Sequence, residues 1–163
     1  MYSLRTRKPI SEEEALSRWA RKCSVAEHCS GEVRNSCKEW GLSTEATNRI
    51  VSRLQADRYI DDSRYAPIFV KDKVRFSGWG PIKIRMTLLG KGIDEVLADN
   101  AIDSFDKQEW QGVLISALKT KLRTITSDDG QKIYASLVRF ALSRGFSFDQ
   151  VNTAIRQIRQ EEK

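Results

Sequence analysis

Long hydrophobic runs are absent from the sequence, and its longest apolar stretches, such as APIFV at 66–70, are only a few residues long. A membrane-spanning helix needs about 20 consecutive apolar residues, so we expect no contact with a membrane. The N-terminus, MYSLRTRKPI, carries three basic residues, but no apolar segment follows it as in a secretory signal. The expected location is the cytoplasm.

Histidine and cysteine are scarce, with one His and three Cys in 163 residues. An odd number of cysteines without a signal sequence argues against a disulfide framework. Structural zinc sites commonly use close C-x₂₋₄-C pairs, whereas five and seven residues separate Cys23, Cys29 and Cys37. We therefore expect small buried thiols and neither metal nor cofactor.

Sustained alternation of apolar and polar residues is also absent, so the sequence predicts no strands. Helix starts, in contrast, are frequent. Ser11 with Glu14 and Asp106 with Glu109 both have the spacing of a capping box, in which each side chain bonds the other residue's backbone N–H. The pattern is that of an all-α protein.

Three segments of the chain align on a glycine. Gly41, Gly92 and Gly145 are 51 and 53 residues apart. Each is followed by one apolar residue and then by a candidate N-cap, namely Ser43, Asp94 and Ser147. Glycine readily adopts the left-handed conformation that ends a helix, and Ser or Asp then caps the next one. Similar apolar residues at several further offsets favour an internal repeat over chance.

This register predicts nine helices, near residues 11–28, 31–40, 44–58, 62–76, 81–90, 95–105, 107–123, 130–143 and 148–160. We interpret them as three tandem three-helix repeats, at 11–60, 61–105 and 106–160, after a basic N-terminal tail at 1–10. Repeats of this kind form an extended surface suited to binding a long partner.

Two adjacent carboxylates in RYIDDSRYA (58–66) raise the question of a catalytic pair or a metal site. In the repeat register, Asp61 is the N-cap of the fourth helix and Asp62 its first residue, where the helix dipole favours a negative charge. Neighbouring residues at a helix start point in different directions. We therefore interpret the pair as helix-capping residues.

The net charge is +6, and the densest basic stretch lies between residues 71 and 91. The segment SGWGP (77–81) is neither of the phosphate-binding glycine motifs, and Pro81 fits the first position of a helix. We predict an elbow here, between a helix carrying Lys71, Lys73 and Arg75 and a helix carrying Lys83 and Arg85. Trp79 is either packed under this turn or exposed as a contact. The basic residues form either a solvated face or a binding surface.

The run YIDDSRYAPIFVKDKVRFSGWGPIKIRMTLLGKGI (59–93), followed by SRGFS (143–147), resembles the RecX family of bacterial proteins that regulate the RecA recombinase. The resemblance implies an elongated, curved, all-helical array of three-helix repeats. It also implies binding in the groove of the RecA–single-stranded DNA filament, inhibition of ATP hydrolysis, strand exchange and co-protease activity, and no catalysis. Such a protein acts in DNA repair, recombination and the SOS response.

The residues that we predict to contact the partner or DNA are basic residues of the second repeat and its elbow tryptophan: Arg64, Lys71, Arg75, Trp79, Lys83 and Arg85. We expect a monomer whose partner is the RecA filament, with single- or double-stranded DNA as a further partner. The alternative is a helix-turn-helix-like protein that acts directly on nucleic acid, because short helices joined at glycine turns also describe that motif.

Overall fold

The structure is a computed structural model that describes residues 9–163. Except for Pro9 and Ile10, the predicted basic tail at 1–10 lies outside the described residues. The described part of the chain contains nine α-helices and no strand, which confirms the all-α prediction. In chain order the helices are α1 (Glu12–Val25), α2 (Ser30–Glu39), α3 (Thr44–Ala56), α4 (Asp62–Ser77), α5 (Pro81–Gly90), α6 (Glu95–Asp103), α7 (Lys107–Leu122), α8 (Gly130–Ser143) and α9 (Phe148–Glu161).

One helix is shorter than predicted. Helix α1 ends at Val25, three residues before its predicted end, and Ala26 is already extended. Among residues 9–163, no helix is long and apolar enough to cross a lipid bilayer.

The glycine turns between helices have the predicted conformation. All three glycines have positive φ: Gly41 (+76°), Gly92 (+80°) and Gly145 (+92°). In the first turn, the Leu42 N–H donates to the Cys37 carbonyl at 3.0 Å, and in the third, the Phe146 N–H donates to the Ala141 carbonyl at 3.3 Å. These are the bonds that close a Schellman-type helix end, so the glycine has the same physical reason in these two turns.

The helix caps after these glycines are also confirmed. Each cap side chain accepts from a backbone N–H in the first turn: Ser43 from Ala46 at 3.1 Å, Asp94 from Val96 at 2.9 Å, and Ser147 from Gln150 at 3.2 Å.

The two capping boxes predicted elsewhere are wrong in their second half. Ser11 and Asp106 cap their helices, but the partner carboxylates do not return to the cap. Glu14 accepts from Arg18 at 2.6 Å, and Glu109 accepts from Arg75 at 2.6 Å. A hydrogen bond from a guanidinium is about twice as strong as one from a neutral amide, so the nearby arginine takes the carboxylate.

Asp61 and Asp62 serve two different helices. Asp61 caps α4, as predicted, and accepts from the N–H groups of Ser63 at 2.9 Å and Arg64 at 3.3 Å. Asp62 instead accepts from the N–H and hydroxyl of Ser30, at 2.8 and 2.5 Å. Ser30 begins α2, whose own N-cap residue makes no side-chain cap. Asp62 therefore supplies the missing cap, and the pair is structural.

The described part of the chain divides into two compact units: unit 1 holds the residues up to Tyr65 together with Lys91–Ile93, and unit 2 holds Ala66–Gly90 and Asp94–Lys163. The core of unit 1 is built around Trp19, Val33, Ile50 and Leu54. The most deeply buried side chains of unit 2 include Val74, Ile84, Leu88, Leu114, Leu118 and Phe146. The units follow spatial contact and not sequence repetition, so the three repeat boundaries stay a prediction.

Each unit contains one close approach between a helix start and a glycine turn. In unit 1, a Cβ added at Gly31 of α2 would collide with the Lys91 carbonyl. In unit 2, the Gly80 N–H donates to the Arg144 carbonyl at 2.7 Å, and an added Cβ would lie 2.6 Å from the Phe146 nitrogen. Because backbone meets backbone at both places, only glycine fits there.

Substitution tests the close approach between Gly31 and the Lys91 carbonyl. Substitution Gly31→Ala should lower the free energy of unfolding by about 1–3 kcal/mol, since overpacking forces the backbone apart. Gly112→Ala is the matched control: Gly112 lies inside α7 with nothing within 4 Å of an added Cβ. It should raise stability by about 0.5–1 kcal/mol, the helix-propensity gain. Urea denaturation measures both, and equal stability of the two variants would contradict the close approach at Gly31.

Candidate partner-binding surface

The elbow between α4 and α5 is held by backbone hydrogen bonds on both sides. Gly78 has a φ of +64°, which turns the chain after α4. The Trp79 N–H donates to the Lys73 carbonyl at 3.1 Å, and the Trp79 carbonyl accepts from the Trp110 indole at 3.2 Å. Pro81 begins α5, as predicted. The main chain of Trp79 is therefore fixed to α4 on one side and to α7 on the other.

Two lysines lie against the Trp79 ring, and we name Lys73, Trp79 and Lys83 the Trp79 cluster. The two ammonium nitrogens lie 4.7 and 4.5 Å from the ring centroid, within the range of cation–π attraction. Trp79 itself is half-buried. Neither lysine forms a salt bridge with any described residue. The elbow thus concentrates two uncompensated positive charges around one aromatic ring.

An exposed aromatic residue adjoins this cluster. Phe76 is 86% exposed, and it follows Lys73 by three residues, which places both on the same side of α4. A large apolar side chain left in water at this level is informative when it stands beside other binding groups. The surface therefore combines positive charge with an accessible aromatic face.

The predicted arginines, by contrast, are engaged within the chain. Each arginine forms an ion pair: Arg64 with Glu27 at 3.0 Å, Arg75 with Glu109 at 2.6 Å, and Arg85 with Asp99 at 2.7 Å. Arg75 binds its carboxylate through two nitrogens, and Arg85 also contacts a second carboxylate, Glu95, at 2.5 Å. Their charge is largely compensated. They position helices more than they attract an anion.

Lys71 remains exposed, on a different side of α4 from the Trp79 cluster. The hydrogen bond from Arg75 lowers the pKa of Glu109, and the charge of Lys71 adds a smaller effect in the same direction. The shared face of Lys71 and Arg75 is therefore turned toward α7, where Glu109 lies. The six selected residues do not form one patch: Trp79 and Lys83 come together, and the others are distributed around them.

Two functional candidates were missed from the sequence. Lys73 was one of several lysines in the basic stretch, and its contact with Trp79 depends on the turn at Gly78. Arg144 donates to the Ser77 carbonyl at 2.9 Å, although it lies far from the basic stretch in sequence. Its position just before Gly145 was the available signal, because that glycine turn packs against the elbow.

A second polar cluster lies in unit 1 around Glu32. Its carboxylate accepts from the Tyr65 hydroxyl at 3.0 Å and from Lys91 at 3.4 Å, and His28 lies 2.5 Å away. Burial alone would raise the pKa of Glu32, but the hydrogen bonds of His28 and Tyr65 and the charge of Lys91 outweigh it and hold that pKa below its usual value. The cluster keeps a half-buried carboxylate ionised inside unit 1.

The cysteines near this cluster do not have the character of reactive groups. Burial raises the pKa of the Cys29 thiol to about 11, so the thiolate that would attack a substrate is scarce. Cys37 is buried as expected, but Cys23 is only half-buried. Within the described residues, no group of three or more His, Cys, Asp and Glu side chains is arranged to hold a metal ion.

Comparison with known proteins identifies the family. The model of the second three-helix domain of RecX matches residues 61–102, and the model of the third matches residues 109–155, together more than half of the chain. The chain belongs to the RecX family.

Individual relatives agree with this assignment. A regulatory protein RecX from Clostridium botulinum (strain Eklund 17B / Type B) is 33% identical over 129 residues, which cover 77% of this chain and 59% of the relative. One from Bacillus cytotoxicus is 24% identical over 130 residues, covering 80% of this chain and 48% of the relative. The matched segment thus spans about half to three-fifths of these RecX proteins.

Solved RecX structures share the fold. The crystal structure of RecX from Lactobacillus salivarius superposes with a TM-score of 0.81 at 19% identity, over 91% of this chain and 97% of that one. A second RecX crystal structure gives the same TM-score at 21% identity, over 89% of this chain and 73% of that one. In RecX terms, the Trp79 cluster lies in the second three-helix domain and Arg144 in the third.

The Glu32 cluster generates a prediction about pH. A carboxylate whose pKa is lowered by folding stabilises the protein above its unfolded pKa, about 4.3. That contribution is lost as the pH falls through the lowered value. At about pH 5, Glu32→Gln should therefore reduce the free energy of unfolding by about 1 kcal/mol. At about pH 2.5, the difference in free energy of unfolding between the variant and the wild type should be smaller. Urea denaturation at both pH values measures it. An equal deficit at the two pH values would contradict this role of the Glu32 charge.

Proposed function

We propose that this RecX protein is a non-catalytic regulator that binds the RecA–single-stranded DNA filament and inhibits its ATP hydrolysis, strand exchange and co-protease activity. It would do so in the cytoplasm during DNA repair and the DNA-damage response. The single observation that carries the proposal furthest is the Trp79 cluster, which lies in a domain that matches the RecX family.

The chemistry of the cluster supports contact with a nucleoprotein. Lys73 and Lys83 carry uncompensated charge that attracts phosphates, and releasing the counterions of DNA adds a salt-dependent gain in affinity. Exposed Phe76 adds an apolar surface on which a base or an apolar side chain can stack. Because the main chain of Trp79 is fixed by hydrogen bonds, little freedom is lost when a partner binds.

Other groups that would suggest an enzyme have structural roles. The adjacent carboxylates of Asp61 and Asp62 cap α4 and α2. The raised pKa of Cys29 disfavours a nucleophilic thiol. The named relatives are regulatory proteins. These points support regulation by binding, without chemistry on a substrate.

Direct action on DNA is the second candidate function, and the cationic surface of a three-helix domain favours it. Binding to free single- and double-stranded DNA and to RecA–DNA filaments, compared at about 50 and 200 mM salt, separates the two. We expect a clear preference for the filament at both salt concentrations. Equal or tighter binding to bare DNA would favour the alternative.

The double variant Lys73→Glu with Lys83→Glu tests the Trp79 cluster. It should raise the concentration that half-inhibits the RecA ATPase on single-stranded DNA by about tenfold or more. A plot of the logarithm of the filament-binding constant against the logarithm of the salt concentration should also become less steep, by about 2, one for each lost phosphate contact. The matched control is Lys38→Glu with Lys132→Glu, two exposed lysines outside the cluster that change the net charge equally. Full inhibition by the first double variant would remove the Trp79 cluster from the interface.

A further inference from the structure

Unit 2 contains a groove between α4, α7 and α8, and Arg75 is the only one of the six predicted contact residues that lines it. Its volume is about 810 Å³. Val74, Val113 and Ala117 line its floor, and Phe140 closes one side. Gly112 on α7 adds open space, because nothing lies within 4 Å of a Cβ built there. The groove is thus lined by aliphatic groups and has room for an inserted side chain.

The rim of this groove is cationic. The Lys121 ammonium lies 5.7 Å and the Arg144 guanidinium 5.1 Å from the centroid of the Phe140 ring. Neither residue forms an ion pair with a carboxylate in the described part of the chain. The carboxylate that does line the groove, Glu109, is held by two nitrogens of Arg75. The rim therefore presents two positive charges without a negative partner.

Two threonine hydroxyl groups on the rim, those of Thr120 and Thr124, can still accept a hydrogen bond. The Thr120 hydroxyl donates to the Ser116 carbonyl at 3.0 Å, and the Thr124 hydroxyl donates to the Lys121 carbonyl at 2.7 Å. Their protons are used within α7 and its end, while their oxygens can still accept from a backbone N–H. A polypeptide offers such N–H groups along its main chain.

We propose that this groove binds a segment of the protein partner that inserts an apolar side chain over Val113 and Ala117 and places a carboxylate between Lys121 and Arg144. Under the proposed function, on which this inference rests, the segment belongs to the RecA subunits of the filament. An aliphatic floor suits an apolar side chain better than a nucleotide base. The Phe140 ring, which a base would need for stacking, has both cations above it.

The groove and the Trp79 cluster use different sides of α4. Lys73 and Phe76 lie on one side, whereas Val74 and Arg75 line the groove on the other. The two sites are therefore separable by substitution. A change on the floor of the groove leaves the lysines around Trp79 in place.

Two variants test the groove. Ala117→Tyr fills its floor, and Lys121→Glu reverses a rim charge. The matched controls are Ala135→Tyr and Lys132→Glu, at exposed positions of α8 outside the groove. Binding of each full-length variant is measured to RecA–single-stranded DNA filaments and to bare single-stranded DNA. Urea denaturation of each variant confirms that the fold is kept.

We expect both groove variants to bind the filament about tenfold more weakly than their controls, as for loss of a buried anchor, with binding to bare DNA unchanged. Equal losses on filament and bare DNA would assign the groove to nucleic acid and overturn the proposal. Unchanged filament binding would overturn it as well, while leaving the proposed function standing. If the wild-type protein itself shows no preference for filaments, the proposed function fails, and the groove assignment fails with it.

Discussion

The hydrogen bond from the Gly80 N–H to the Arg144 carbonyl, at 2.7 Å, is the contact on which the binding surface depends. It places the start of α5 directly on the turn after α8, and no side chain at position 80 would allow that approach. The same contact brings the Arg144 side chain to the end of α4, where it donates to Ser77. The Trp79 cluster and one rim charge of the groove are therefore both consequences of one backbone contact between residues distant in sequence.

The basic residues separate by chemical type. The arginines at positions 64, 75 and 85 form ion pairs, whereas Lys73 and Lys83 lie against an aromatic ring. A planar guanidinium matches a carboxylate through two parallel hydrogen bonds, and an ammonium acts as a compact point charge. Around the elbow, Glu109, Asp99 and Glu95 are consequently bound by arginine, and Lys73 and Lys83 keep their charge for a partner. Two positive charges without an ion-pair partner among the described residues therefore lie together at the elbow.

The local elements were predictable from the sequence because their causes are local. A glycine that must adopt positive φ, a Ser or Asp that must cap a helix start, and a proline at the first helical position each act within a few residues. What the sequence did not predict depends on distant partners. Glu14 and Glu109 had the spacing of capping boxes, but each lies beside an arginine that binds it more strongly. Asp62 was placed correctly at the start of α4, yet its bond to Ser30 joins two helices that only the tertiary fold brings together.

The candidate site also depends on contacts between residues distant in sequence. Position 79 was identified because a tryptophan between two glycines is conspicuous, and the dense basic stretch pointed to the surrounding lysines. Which lysine contacts the ring depends on how far the chain turns at Gly78, and sequence spacing does not give that angle. Phe140 and Lys121 of the groove carry no motif at all. They are ordinary residues of amphipathic helices until α7 and α8 place them beside α4.

Under the proposed function, two separate binding sites on α4 favour the assembled filament over bare DNA. A filament presents DNA phosphates and protein segments together, so a protein that binds both engages the second contact as an intramolecular event at a high effective concentration. Bare DNA offers phosphates alone, and a free protein segment offers only the groove contact. Since α4 carries Lys73 on one side and Val74 on the other, a rigid helix fixes the distance between the two contacts. Preference for the assembled filament then follows from this geometry, without requiring high affinity at either site alone.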